Sequence, residues 1–100
     1  MSERLGILVT SDKHLDAVVG ISKAAKASGK SISIFLMDDG CLLAKDPKFV
    51  ELLKEGVDIS ICEYNATKKG VRREDAEGIF FGAQYQNAVM AHDSDRYLVF

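Results

Sequence analysis

Short apolar segments alternate with stretches of helical period from one end of the chain to the other, and that alternation restricts the folds open to it. Leu5-Gly6-Ile7-Leu8-Val9 is nearly continuously apolar and stops at Thr10-Ser11-Asp12. A strand buried on both faces reads this way, and the polar stop is a helix N-cap signal. From Lys13 to Ser28 the apolar residues Leu15, Val18, Val19 and Ala25 recur at helical spacing, and Gly29 supplies a stop. Ile32, Ile34, Phe35, Leu36 and Met37 predict a second strand, broken by the turn signal Asp38-Asp39-Gly40. Asp46-Pro47 reads as the N-cap and first position of another helix, with a stripe of Phe49, Leu52 and Leu53 closed by Gly56. Val57 to Ile61 alternates and is rich in β-branched residues, which predicts a third strand ending at Cys62.

Glu63 to Lys69 follows as a short helical segment stopped by Gly70. Ile79-Phe80-Phe81, bracketed by Gly78 and Gly82, reads as a short fourth strand. Tyr85, Val89 and His92 fall at helical spacing on a last helix, and Tyr97-Leu98-Val99-Phe100 closes the chain as a strand. Strands alternating with helices imply an α/β fold of three layers, a five-stranded, mostly parallel sheet with helices on both faces. The 100 residues, 47% of them hydrophobic, suffice for one domain over residues 1–100 with a real core.

Composition removes several function classes. Thirteen Lys+Arg against 15 Asp+Glu leave a net charge of −2, without the basic surplus of a general nucleic-acid binder. No apolar run approaches the roughly 18 residues of a membrane span. Met1-Ser2-Glu3-Arg4 lacks the basic-then-apolar form of a secretion signal. Two cysteines and one proline do not make a disulfide-stapled secreted module. The expectation is a soluble, cytoplasmic domain.

In open parallel sheets, ligands and reactive groups gather at the carboxyl ends of the strands. The candidates are therefore Ser11, Asp12 and His14, then Asp38, Asp39 and Cys41, then Cys62 to Asn65. Cys62 is the most informative, because it ends a strand and immediately precedes a short helix. A sulfur at a positive helix end favours thiolate over thiol. Packing is the competing reading, since free cysteines are among the most buried residues. Cys41 also follows a strand and could share the crevice as a resolving thiol, although 21 residues of separation match no metal or thioredoxin motif.

Lys68, Lys69, Arg72 and Arg73 would strengthen a thiolate if they folded back over it. The ordinary reading of such a run, a solvated face that complements its own helix end, carries more weight. His14 and His92 have no second histidine at ligand spacing, so a zinc site is not expected. Asp38-Asp39 hints at a magnesium site of the receiver-domain kind, but the strand-ending aspartate of that pattern is missing. No phosphate-binding glycine loop occurs.

The segment Gly56-Val57-Asp58-Ile59-Ser60-Ile61-Cys62-Glu63-Tyr64-Asn65-Ala66-Thr67-Lys68-Lys69-Gly70-Val71 resembles the DsrE/TusD-like (DsrE/DsrF-like) sulfur-relay family. There, a Gly-Val/Ile strand runs into a cysteine, a short helix, two basic residues and Gly-Val/Ile. Phe35-Leu36-Met37-Asp38-Asp39-Gly40 and the closing Ser94-Asp95-Arg96-Tyr97-Leu98-Val99-Phe100 are similar to the family's Asp-Gly strand and Asp-Arg tail. The loop Ser11-Asp12-Lys13-His14 is shorter than the family's, and Cys41 is not a general family feature.

The resemblance implies a DsrEFH-like sheet with flavodoxin-like layering, assembled as a homo-oligomer (trimer or hexamer). It implies that Cys62 accepts and passes on persulfide sulfur between donor and acceptor proteins, without metal or organic cofactor and without membrane or direct nucleic-acid contact. Cys41 would then be an auxiliary thiol, and Ser11, His14, Asp39 and Asn65 pocket residues. Two alternatives stay open: a non-catalytic assembly or regulatory subunit that keeps only the fold, and a Cys41/Cys62 redox switch.

Overall fold

The structure, a computed structural model, describes residues 3–100, so Met1 and Ser2 of the leader reading lie outside it. Strands β1 (Arg4–Val9), β2 (Ser31–Leu36), β3 (Asp58–Cys62), β4 (Phe80–Gly82) and β5 (Arg96–Val99) form one sheet in the order β4-β3-β2-β1-β5. Every pairing in it is parallel. The helices are α1 (Leu15–Ala27), α2 (Pro47–Val50), α3 (Glu63–Lys68) and α4 (Gln84–Asp93). Steps from β1 through β4 all run the same way, so right-handed crossovers put α1, α2 and α3 on one face. The return from β4 to β5 crosses the sheet and leaves α4 alone on the other.

Side-chain alternation agrees with that layering. Leu5, Ile7, Val9, Ile32, Ile34, Leu36, Ile59 and Ile61 point into one core with Val18, Phe49 and Leu52. Phe35 and Cys62 point the opposite way and meet Met90 of α4. Helix α4 packs on β1 and β2. A Cβ at Gly6 of β1 would collide with the Ser94 hydroxyl and lie 3.0 Å from Met90 Cγ, so the missing side chain lets α4 approach. The Tyr85 and Val89 stripe faces away from this contact, and Met90 alone is buried on the helix.

Two stretches differ from the sequence expectation. Asp38-Asp39-Gly40 is the first turn of a 3₁₀ helix over Asp38–Lys45 rather than an isolated turn. Cys41 and Ala44, three residues apart, eclipse on its buried side, and a Cβ at Gly40 would strike the Val9 carbonyl. The helix begun at Asp46 starts as read, with the Asp46 carboxylate accepting the Lys48 N–H at 2.9 Å and Pro47 in the first turn. After one turn it tightens into a 3₁₀ helix over Glu51–Glu55, which Gly56 ends.

Candidate functional site

Cys62 is both the last residue of β3 and the N-cap of α3, with φ −68° and ψ 113°. Its placement follows from the strand's alternation: with Ile59 and Ile61 committed to the α1–α2 core, Ser60 and Cys62 must face α4. Only 7% of the residue is exposed, and the side chain makes no capping hydrogen bond. Phe35 and Met90 pack with it, and Leu8, Met37 and Tyr97 border that cluster. The Gln84 amide donates to Met37 Sδ at 3.7 Å, tying the start of α4 to this rim. A freely reachable sulfur, expected from the sequence, is thus not what the isolated chain presents. Met37 and Met90 come from other elements, and local sequence around Cys62 does not foretell them.

Cys41 is fully buried and belongs to the other core, on the α1–α2 side of the sheet. Its S–H donates to the Leu36 carbonyl at 3.8 Å. Burial pushes this thiol up to about 12, with the negative charges of Cys62 and Asp38 adding and the Lys69 ammonium offsetting part. The two cysteines therefore sense each other electrically but pack into different clusters. The expectation was that both face one crevice; the buried packing of Cys41 belongs to one core cluster and that of Cys62 to the other.

The corner after β2 is fastened to α3 at two points. The Asp38 N–H donates to Asn65 Oδ1 at 3.1 Å, with Asp38 in the left-handed region at φ 49°. The Lys69 ammonium donates to Asp39 Oδ1 at 2.5 Å, and that hydrogen bond raises the Lys69 pKa. Asn65 and Lys69 are one turn apart and so share a side of the helix. The corner that carries Asp39 and the helix that carries Asn65, which Cys62 caps, are thus held together.

Ser11 and His14 stand elsewhere. The Ser11 hydroxyl accepts the Lys13 N–H at 3.1 Å, and the His14 ring, at the start of α1, sits 6.0 Å from that of Phe100. No hydrogen bond, ion pair or ring contact joins either to Cys62, Asp39 or Asn65 among the described residues.

Among the described residues no ion pair or ring contact joins the basic run to Cys62, and Lys69 reaches Asp39 instead. Lys68 lies over the Tyr64 ring at 4.6 Å, and Arg72 pairs with Asp75 at 3.3 Å and Glu74 at 3.7 Å. Arg73 pairs with Glu63 and lies 5.0 Å from the Phe81 ring centre. These contacts are exposed and are satisfied locally, the solvated-face reading of the run. His92 Nδ1 rests 3.1 Å from Asp93 at the end of α4. Among the described residues no three of His, Cys, Asp and Glu gather as a metal site, and no helix is long and apolar enough to cross a membrane.

One feature escaped the sequence reading. A groove of about 660 Å³ opens between α4 and strands β2 to β4, with Ser33, Asp58, Ser60, Phe80 and Tyr85 among its walls. Its signal was present: Ser31, Ser33, Asp58 and Ser60 put polar groups on alternate positions of parallel strands, where a doubly covered sheet has apolar ones. The groove ends at Ser60, one same-face position before Cys62.

A five-stranded parallel sheet covered by helices, with a cysteine where a strand turns into a short helix, places the chain among α/β folds. The model of the DsrE/DsrF-like family matches residues 3–100, and the chain belongs to that family. Among solved structures it is similar to the ychN protein from E. coli, at 15% identity over the whole of both chains with a TM-score of 0.73. At that identity the likeness is one of fold. No curated protein matches the chain.

Proposed function

We propose that this single domain is a small cytoplasmic sulfur carrier in which Cys62 takes up and passes on persulfide sulfur. The observation that carries the reading is the position of Cys62 at the carboxyl end of β3, in a chain of the DsrE/DsrF-like family. Of the two thiols it alone retains any exposure, while Cys41 is sealed in the core with its thiol pushed to about 12. In the first step the Cys62 thiolate attacks the outer sulfur of a donor persulfide, R–S–SH. The donor's S–S bond breaks, R–S⁻ leaves, and Cys62 becomes Cys62–S–SH. An acceptor thiolate then attacks that outer sulfur and Cys62 leaves as thiolate, so the cycle has no net oxidation. Asp39 and Asn65 shape the surroundings by fixing α3, and Cys41 remains a core thiol. The partners are donor and acceptor proteins and further copies of this chain.

The test is cyanolysis. After treatment with cysteine persulfide and removal of excess reagent, the wild type and Cys41→Ala are expected to release thiocyanate, and Cys62→Ser is not. Release from Cys62→Ser equal to wild type contradicts the assignment. The close packing of Cys62 against Phe35 and Met90 favours a second reading, a non-catalytic assembly subunit that keeps the fold alone. In that case Cys62 stays inert to thiol reagents in the assembled protein. A Cys41/Cys62 disulfide has less support, because both thiols are free and buried and pack into different clusters.

A further inference from the structure

We infer that the groove between α4 and strands β2 to β4 binds a small zwitterionic thiol of peptide length, whose persulfide is a sulfur donor to Cys62. The transfer step rests on the carrier reading; the binding site comes from the groove itself. Arg4 of β1, Ser33 of β2, and Asp58 and Ser60 of β3 all line it, on alternate positions of their strands. A parallel sheet covered by a protein layer carries apolar side chains at such positions. Among the described residues the serine hydroxyls of Ser11, Ser28 and Ser94 form hydrogen bonds, and those of Ser33 and Ser60 do not. An apolar occupant would strip water from these two hydroxyls and give nothing back, so the floor suits a molecule that hydrogen-bonds.

Charge narrows the choice. Arg4 enters the groove from β1 and Asp58 from β3, and neither side chain has an ionic partner among the described residues. A head group with a carboxylate and an ammonium on one carbon answers both, the carboxylate to Arg4 and the ammonium to Asp58. The volume of about 660 Å³ is that of a small-molecule site, and the exposed rings of Phe80 and Tyr85 give the walls apolar area. Reach then sets the length. Asp58 and Cys62 share a face of β3, four residues or about 13 Å apart at 3.3 Å per residue. A single amino acid, at about 3.5 Å, does not cover that gap, whereas about three residue lengths and a hydrogen bond to Asp58 do. The end near the thiol passes Gly82, the register partner of Cys62, where a side chain would collide with Gln86 and Phe80. With the head held at Asp58, the Cys62 thiolate attacks the outer sulfur of the bound persulfide. The S–S bond breaks, the peptide leaves as its thiolate, and Cys62 holds Cys62–S–SH.

The experiment uses the full chain with glutathione, a γ-linked tripeptide that has such a head and a central thiol. Isothermal titration calorimetry is expected to show saturable binding, weakened about tenfold by Arg4→Ala and by Asp58→Asn, the loss of one charge-assisted contact each. Loading of Cys62 from glutathione persulfide should saturate, with KM raised about tenfold in Asp58→Asn and kcat little changed. Loading from cysteine persulfide, too short to span the gap, should be indifferent to that substitution. Circular dichroism on each variant separates lost binding from lost folding. Absence of saturable glutathione binding, whether the groove stays open or is filled by another copy of the chain, overturns the inference. So does binding indifferent to both substitutions, or a KM that Asp58→Asn does not move. Calorimetry reads binding without sulfur transfer, and cyanolysis after cysteine persulfide reads the carrier step without the groove, so the two failures are distinguishable.

Discussion

At the scale of single residues, two cysteines in similar sequence settings have opposite fates. Each follows a strand, yet β3 alternates so as to turn Cys62 toward α4, while the 3₁₀ helix after β2 turns Cys41 into the main core. The sequence made the position of Cys62 readable, because alternating β-branched residues set the phase of the strand. It did not make the burial of either sulfur readable, since that depends on Met37, Met90 and Val9 arriving from elsewhere in the chain. The sealed state of Cys41 has a thermodynamic consequence. Its folded-state pKa lies near 12, above the ordinary value of 9.0, so between those limits the folded chain holds a proton that the unfolded chain has lost. Stability from this group is intact below pH 9.0 and is lost as pH rises toward about 12. Chemical denaturation at a series of alkaline pH values should show a shallower decline in Cys41→Ala than in wild type. Parallel declines contradict this account of Cys41.

At the scale of elements, α3 is held differently from its neighbours. It buries Ala66 alone, so the attachment of the helix behind Cys62 depends heavily on the Asp38–Asn65 and Asp39–Lys69 contacts. Asn65→Ala removes one of them, a hydrogen bond of about 0.5–1.5 kcal/mol. Amide hydrogen exchange should speed up in α3 and in the corner after β2, while β1 and β2 keep their protection. Uniform acceleration across the sheet contradicts the idea of a local fastening. Phe49 of α2 represents the opposite case, a fully buried side chain in the main core. Phe49→Ala should cost about 3–5 kcal/mol, measurable by urea denaturation, and that is a large part of a small domain's stability. The N-cap of α2 was legible because Asp-Pro carries its own local geometry. The 3₁₀ helix over Asp38–Lys45 was not, because Asp-Asp-Gly reads as a turn until Cys41 and Ala44 are seen to bury together.

For the whole molecule, strand–helix alternation was enough to define the layers, since right-handed crossovers leave few ways to thread five parallel strands. The sequence said less about completeness. Four helices were readable, but that only one of them lies on the second face, and over β1 and β2, follows from the long return between β4 and β5. The hydroxyl-bearing positions of β2 and β3 were the written trace of the groove on that face. The proposed carrier role rests on the strand-end thiol of Cys62, and it turns on whether sulfur is loaded there. Intact-protein and peptide mass spectrometry after incubation with cysteine persulfide measures this directly. The expected result is a gain of one sulfur atom, mapped to Cys62, kept in Cys41→Ala and lost in Cys62→Ser. No gain in the assembled wild type, or a gain that survives in Cys62→Ser, contradicts the account.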